Sequence, residues 1–135
     1  MKASLLILFA LCTLVFAQKQ KTFDTEDQSW FLQDLGNYTW DNAMKACPSG
    51  WRLPTDDDWS KLNDFLATDT KLQAEFRKNA KIKNKDVDGS SGYWWSATEA
   101  SDSKLANFKF LYNNYTNFYD GDAPKSDKLA VRCVK

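Results

Sequence analysis

The residue types exclude several kinds of catalysis. Histidine is absent from all 135 residues, so the chain alone supplies no Ser-His-Asp or Cys-His nucleophile system and no histidine-ligated metal site. General acid–base catalysis would then need a pair of carboxylates, and the acidic residues have simpler explanations. We therefore expect a protein that is not an enzyme and that carries no cofactor.

The first acidic cluster lies at a predicted helix start. Residues 55–58 read Thr-Asp-Asp-Asp, which is the layout of a capping box with Asp58 in the place of the usual Glu or Gln. Three carboxylates in a first helical turn also suit the positive end of the helix dipole. Helix capping is therefore favoured over the alternative, a metal-binding or catalytic role.

The second acidic cluster resembles the start of a calcium loop. Asn84, Asp86 and Asp88 alternate with other residues ahead of Gly89, as do the first ligands of an EF-hand. The twelfth position of such a loop needs a bidentate acid, and here that position is Trp95. An exposed turn is the favoured interpretation, and a weak calcium site is the alternative.

The N-terminal segment predicts export from the cytoplasm. A short positive start precedes an apolar run over residues 5–16, and Ala17 stands before a polar stretch, which is the layout of a secretory signal peptide. The run is shorter than the roughly 20 residues of a spanning helix. We expect cleavage of residues 1–17, a single domain over residues 18–135, no membrane span after cleavage, and a secreted or cell-envelope location.

Export would place the remaining cysteines in an oxidising compartment. The chain has three cysteines, and cleavage after Ala17 removes Cys12 and leaves Cys47 and Cys133. Such a pair predicts a disulfide. The bond would close a loop of about 86 residues, for which the chain-entropy model gives a stabilisation of roughly 4–5 kcal/mol. A reactive dithiol is the alternative, but neither a CxxC spacing nor a neighbouring histidine supports it.

The charges give no reason to expect a nucleic-acid partner. The chain carries 18 basic and 18 acidic residues, for a formal net charge of zero. It therefore lacks the basic excess that binds phosphate backbones. Its 43% hydrophobic content is that of an ordinary single globular domain.

Hydrophobic periodicity predicts a strand, then helices, then strands. A loose polar leader over residues 18–27 precedes a first strand over residues 28–35. Helices are predicted at residues 40–47 after Thr39 as a cap, from Thr55 onward, and near residues 70–79. Four strands follow, at residues 93–97, 105–112, 115–119 and 129–134, with a break at Asp120-Gly121. This order predicts an α+β domain with a largely antiparallel sheet of about four strands.

Four segments together resemble one protein family. They are residues 28–35, the run YTW…CPSGWRLPTxxDW over residues 38–59, WWSATE over residues 94–99, and the terminal VRCVK. This pattern is similar to that of the Fibrobacter succinogenes major paralogous domain. The resemblance covers nearly all of the chain after residue 17, and the run from Cys47 to Trp59 is its most specific part. Asp58 and Ala97 depart from the usual Glu and Ser.

The resemblance implies a fold and a pairing. The fold is the C-type-lectin-like one, which formylglycine-generating enzymes also share, with one disulfide between Cys47 and Cys133. It further implies a protein of Gram-negative bacteria, in a family without an established activity.

In such folds, the region between the middle strands and the last strand commonly carries the ligand contacts. Exposed rings can stack on sugars, and carboxylates can accept hydroxyl hydrogen bonds. One ring of the Trp94-Trp95 pair should also be exposed if the strand is regular. The candidate ligand-binding residues are Trp94, Tyr112, Tyr115, Tyr119, Asp120 and Asp122. The alternative is that most of these rings are core or sheet-face residues.

The leading functional hypothesis is a non-catalytic binding or adhesion module. The partners considered are carbohydrate and another surface protein; the EPN and WND signatures of calcium-dependent lectins are absent. The alternative is a structural or assembly component at the cell surface. An enzyme of the formylglycine-generating type is disfavoured. Those enzymes use a cysteine pair in the active site, whereas Cys47 and Cys133 of this chain are both assigned to the structural disulfide.

Overall fold

The computed structural model describes residues 19–79, 91–112 and 117–135. The predicted signal peptide, the calcium candidates Asn84, Asp86 and Asp88, and the ligand candidate Tyr115 lie outside these residues. So do the first two residues of the strand expected at residues 115–119, and of its described residues only Tyr119 lies in a strand.

The described chain contains three helices and seven strands. In chain order they are β1 (Thr22–Asp24), β2 (Ser29–Phe31), β3 (Asn37–Tyr38), α1 (Trp40–Ala46), α2 (Asp56–Thr68), α3 (Thr70–Asn79), β4 (Ser91–Glu99), β5 (Leu105–Tyr112), β6 (Tyr119–Pro124) and β7 (Leu129–Ala130). The α+β class and all three helices are confirmed.

Several local predictions were wrong. The last strand, expected at residues 129–134, is confined to Leu129–Ala130. The polar leader contains β1, which forms an antiparallel hairpin with β2; the pairing supplies backbone hydrogen bonds that a polar sequence does not reveal. Asp120-Gly121 does not break a strand, because both residues lie inside β6, which pairs with β5 from Tyr119 to Pro124.

The main sheet has the strand order β3-β7-β4-β5-β6. All neighbours are antiparallel except β4 and β7, which are parallel. The largely antiparallel sheet is thus confirmed. The β1–β2 hairpin joins the rest through a bridge between Trp30 and Val134.

Hydrophobic cores lie on both faces of the sheet. On one face, Trp94 packs with Trp59 of α2 and Phe76 of α3. On the other face, Trp95 packs with Trp40 and Ala43 of α1. Because helices cover both faces at this point of β4, Trp94 and Trp95 are both completely buried. The expectation of one exposed ring in this pair was wrong.

The start of α2 follows the sequence prediction closely. The Thr55 side chain accepts a hydrogen bond from the backbone N–H of Asp58 (3.2 Å), and the Asp58 carboxylate accepts one from the Thr55 N–H (2.8 Å). The capping box is therefore confirmed. Thr39 does precede α1, but its side chain makes no capping hydrogen bond.

The disulfide ties the last segment to the end of α1. Cys47 and Cys133 are bonded, with their Cα atoms 5.8 Å apart and a sequence separation of 86 residues. The predicted pairing is confirmed. The completely buried Arg132 reinforces the same region, since its Nε donates to Asp34 (2.7 Å).

Candidate functional site

Four aromatic side chains share one face of strands β4, β5 and β6. Tyr93 pairs with Phe110, which in turn pairs with Tyr119; Phe108 occupies the neighbouring position on β5. Residues directly opposite each other on paired strands lie on the same face of a sheet. We call Tyr93, Phe108, Phe110 and Tyr119 the aromatic surface.

The rings of the aromatic surface form a continuous row. The ring centroids of Tyr93 and Phe110 are 6.0 Å apart and those of Phe110 and Tyr119 are 5.5 Å apart, with interplanar angles of 25° and 27°. Phe108 lies 5.8 Å from Tyr93. Tyr93 is 42% exposed and Tyr119 is 40% exposed, so two tyrosines of the row are accessible to solvent.

Gly121 lets β6 approach the aromatic surface. A Cβ atom at Gly121 would lie 2.4 Å from Cζ of Phe108, so the Phe108 ring lies across the glycine backbone. A glycine in a strand interior commonly marks such a close approach. Tyr119, two residues earlier, is placed beside Phe110 by this packing.

The opposite face of β5 and β6 is polar. Lys109 is buried, and its ammonium contacts the Asp120 carboxylate and lies 3.3 Å from Asp56 Oδ1. Asp56 also accepts hydrogen bonds from Ser96 Oγ (2.6 Å) and Asn107 Nδ2 (2.8 Å). Burial raises the pKa of Asp56, but these hydrogen bonds and the Lys109 charge outweigh it and lower the pKa below its ordinary value.

The predicted ligand-binding residues do not form one site. Tyr119 lies on the aromatic surface, whereas Asp120 and Asp122 pair with Lys109 and Asn107 on the polar face. Both carboxylates are exposed. Tyr119 and Asp120 are therefore neighbours in sequence whose side chains lie on opposite faces of the sheet.

Of the remaining candidates, Trp94 is buried, and the side chains of Tyr112 and Tyr115 lie outside the described residues. Trp94 is completely buried, and its Nε1 donates to Asp34 Oδ1 (2.8 Å), so it is a core residue. The Tyr112 backbone lies in β5, opposite Ser91, but its side chain falls outside the described part, as does Tyr115.

Sequence reasoning missed three members of the aromatic surface. Phe108 and Phe110 alternate with Asn107 and Lys109, and this alternation predicts a strand with an apolar face. It does not reveal that the polar residues face α2 while part of the aromatic face stays accessible. The available signal for Tyr93 was its spacing, because it lies two residues before Trp95 and residues two apart on a strand share a face.

Metal binding and membrane crossing find no support in the described residues. Within residues 19–79, 91–112 and 117–135, no three His, Cys, Asp or Glu side chains are grouped so that they could hold a metal ion. In the same residues, no helix has the length and apolar character needed to cross a membrane.

Comparisons with known proteins identify both fold and family. EMS16, an antagonist of collagen receptor integrin alpha2beta1, has a similar solved structure with a TM-score of 0.51 and 9% identity, covering 84% of this chain and 94% of that chain. This likeness shows the C-type-lectin-like fold. No curated protein sequence matches significantly. The Fibrobacter succinogenes major domain matches residues 16–88, more than half of the chain. The chain therefore belongs to the Fibrobacter succinogenes major domain family.

Proposed function

We propose that this protein is an extracytoplasmic, non-catalytic binding module that holds carbohydrate on the aromatic surface. The observation that carries the proposal is the row of Tyr93, Phe110 and Tyr119 rings, in which both tyrosines are about two-fifths exposed. A soluble domain normally buries its large rings or scatters the exposed ones singly. A continuous row favours a binding surface.

The chemistry of this row suits a sugar chain. Tyrosine offers an apolar ring for the C–H groups of a sugar and a hydroxyl that donates and accepts hydrogen bonds. The row crosses three strands, so an extended ligand contacts several rings, whereas a single small molecule contacts one. An extended polysaccharide is therefore the favoured ligand.

The extracytoplasmic location has two supports. The Cys47–Cys133 disulfide persists in oxidising compartments. The apolar run over residues 5–16 predicts a cleaved signal peptide. Together they favour secretion or retention in the cell envelope, and family membership favours a Gram-negative source.

The alternative, a structural or assembly role, would use a protein partner. Strand β6 is an edge of the main sheet and could accept a further strand. It carries Asp120, Asp122 and Pro124, and such residues discourage edge-to-edge pairing. This composition favours the aromatic surface over the strand edge as the contact region.

Retention on insoluble polysaccharides tests the proposal. The oxidised protein from residue 18 onward is incubated with cellulose, xylan and chitin, and the bound fraction is measured as a function of concentration. We expect saturable retention on at least one polymer, and a loss on the order of tenfold or more in the Tyr93→Ala/Tyr119→Ala variant, because exposed tyrosines at a binding surface commonly act as hot spots.

Met44→Ala is the matched control. Met44 is 46% exposed on α1 and is outside the aromatic surface, so this change removes a similar exposed apolar group elsewhere. Its retention should equal that of the wild type. Equal retention of the double tyrosine variant would contradict the proposal, and no retention on any polymer would favour the assembly role.

A further inference from the structure

The residue before β6 is anchored on the face of the sheet opposite the aromatic surface. Phe118 is partly buried and packs against the core that contains Trp94. Its ring centroid lies 5.3 Å from that of Trp59, 5.7 Å from that of Phe76 and 5.8 Å from that of Trp94. The Phe118 side chain therefore contacts rings from α2, α3 and β4 just before the chain enters β6.

Asn63 of α2 holds the backbone at the same point. Its side-chain Oδ1 accepts a hydrogen bond from the backbone N–H of Phe118 (2.8 Å), across 55 residues of sequence. The ladder between β5 and β6 begins at Tyr119, so Phe118 lies outside it. The Asn63 side chain thus supplies an acceptor that strand pairing would otherwise have to supply.

Tyr119 follows directly and lies on the other face. It is the first residue of β6, opposite Phe110, and the two ring centroids are 5.5 Å apart. Successive side chains of a strand point to opposite faces, so the backbone position at Phe118 sets the direction in which the Tyr119 side chain leaves the strand. A shift of Phe118 relative to α2 therefore moves the Tyr119 ring on the aromatic surface.

We propose that Asn63 is a positioning residue for the aromatic surface and acts through Phe118 on Tyr119. The inference rests on the proposed function, since it names a residue that sets the geometry of the same binding surface. Asn63 belongs to a helix that packs on the opposite face of the sheet, so it acts without touching a ligand on the aromatic surface. By linkage, a ligand that holds Tyr119 in place also stabilises the hydrogen bond between Asn63 and Phe118.

Tyrosine ring signals test the geometry without any ligand. The protein is labelled with ¹³C-tyrosine, and the two ring signals are assigned with Tyr93→Phe and Tyr119→Phe variants. We expect Asn63→Ala to shift the Tyr119 signal, to leave the Tyr93 signal near its wild-type position, and to raise the hydrogen-exchange rate of the Phe118 amide roughly tenfold. Asn63→Asp keeps an acceptor oxygen and should restore both. An unchanged Tyr119 signal in Asn63→Ala would overturn the inference, whether or not a polysaccharide binds.

The polysaccharide assay measures the effect on binding. We expect Asn63→Ala to weaken saturable retention about fivefold, which is the size expected for the net loss of one hydrogen bond, and Asn63→Asp to restore it. The loss should vanish when the affected ring is absent, so Tyr119→Ala and Asn63→Ala/Tyr119→Ala should be retained equally. In the wild type, a retained polysaccharide should slow the exchange of the Phe118 amide, which a purely structural role of Asn63 does not require.

One control and two outcomes separate the inference from the proposed function. Ser60→Ala changes an exposed residue of α2 and should match the wild type in every measurement. Equal losses of retention from Asn63→Ala with and without the Tyr119 ring would overturn the inference, because Asn63 would then act independently of Tyr119. Absence of wild-type retention on every polymer would contradict the proposed function instead, and the tyrosine signals would still decide whether Asn63 positions Tyr119.

Discussion

At the scale of single residues, Asp58 shows how one side chain supports several neighbours. Its carboxylate accepts hydrogen bonds from Arg52, Thr55 and Gln28. Burial raises the pKa of Asp58, but the hydrogen bonds from Arg52 and Thr55 outweigh burial and lower it from 3.8 to about 2. The charged form is therefore favoured in the folded state, and it links the strand bridge at Arg52 to the start of α2.

The Asp58→Asn variant should lose stability in a pH-dependent way. The folded-state pKa lies below the unfolded one, so the stabilisation is fully present above about pH 4 and disappears as the pH falls toward about 2. We expect a loss of about 1–2 kcal/mol at pH 7, after allowance for the half-exposed Arg52. Urea unfolding from pH 7 to pH 2 measures the difference between variant and wild type.

Asp57→Asn is the control for this effect. Asp57 is the adjacent residue, but its side chain is 78% exposed and faces Lys61 across 3.6 Å at the surface. Its substitution should change the free energy of unfolding by less than about 0.5 kcal/mol at any of these pH values. A pH-independent loss in Asp58→Asn would mean that the cap geometry, and not the charge, stabilises the helix.

At the scale of secondary structure, β6 positions one end of the aromatic surface. The strand runs beside β5 through Gly121, where the Phe108 ring takes the space that a side chain would occupy. Phe108 also packs against the core that contains Trp95. The position of Tyr119 thus depends on a glycine that local sequence rules assign to a turn.

Gly121→Ala should weaken both stability and ligand retention. The added Cβ would lie 2.4 Å from Phe108 Cζ, so the ring has to move, and such overpacking costs about 1–3 kcal/mol. Urea unfolding measures the stability and the polysaccharide assay measures retention. In the Gly121→Ala/Phe108→Leu variant the smaller side chain should restore much of the stability; if the double variant is no more stable than Gly121→Ala, ring crowding is not the cause.

At the scale of the whole molecule, the C-terminal segment joins the two cores. Val131 and Cys133 lie in the core with Trp95, whereas Val134 lies in the core with Trp94. The segment also pairs with the chain around Arg52 and Trp30. The disulfide therefore constrains a segment on which both layers of the fold depend.

Removal of the disulfide should destabilise the whole domain. We expect Cys47→Ser/Cys133→Ser to lose about 2–5 kcal/mol of unfolding free energy, because the unfolded chain gains the freedom of an 86-residue loop. Urea unfolding with and without a thiol reductant measures this loss. The wild type should respond to reductant and the variant should not; unfolding of the wild type at the same urea concentration with and without reductant would contradict the prediction.

The sequence by itself determined the features that depend on neighbouring residues or on strong chemical pairing. Local patterns determined the capping box at Thr55 and Asp58 and the bounds of β5. The pairing chemistry of two cysteines accounts for the Cys47–Cys133 bond, and the family follows from its motifs. Periodicity states which residues share a face, but it does not state what covers that face. Only the tertiary structure decided that helices bury both Trp94 and Trp95 and that the side chains of Tyr119 and Asp120 lie on opposite faces of the sheet. It also decided that Tyr93 and Tyr119 remain accessible, because each outcome depends on how distant layers pack.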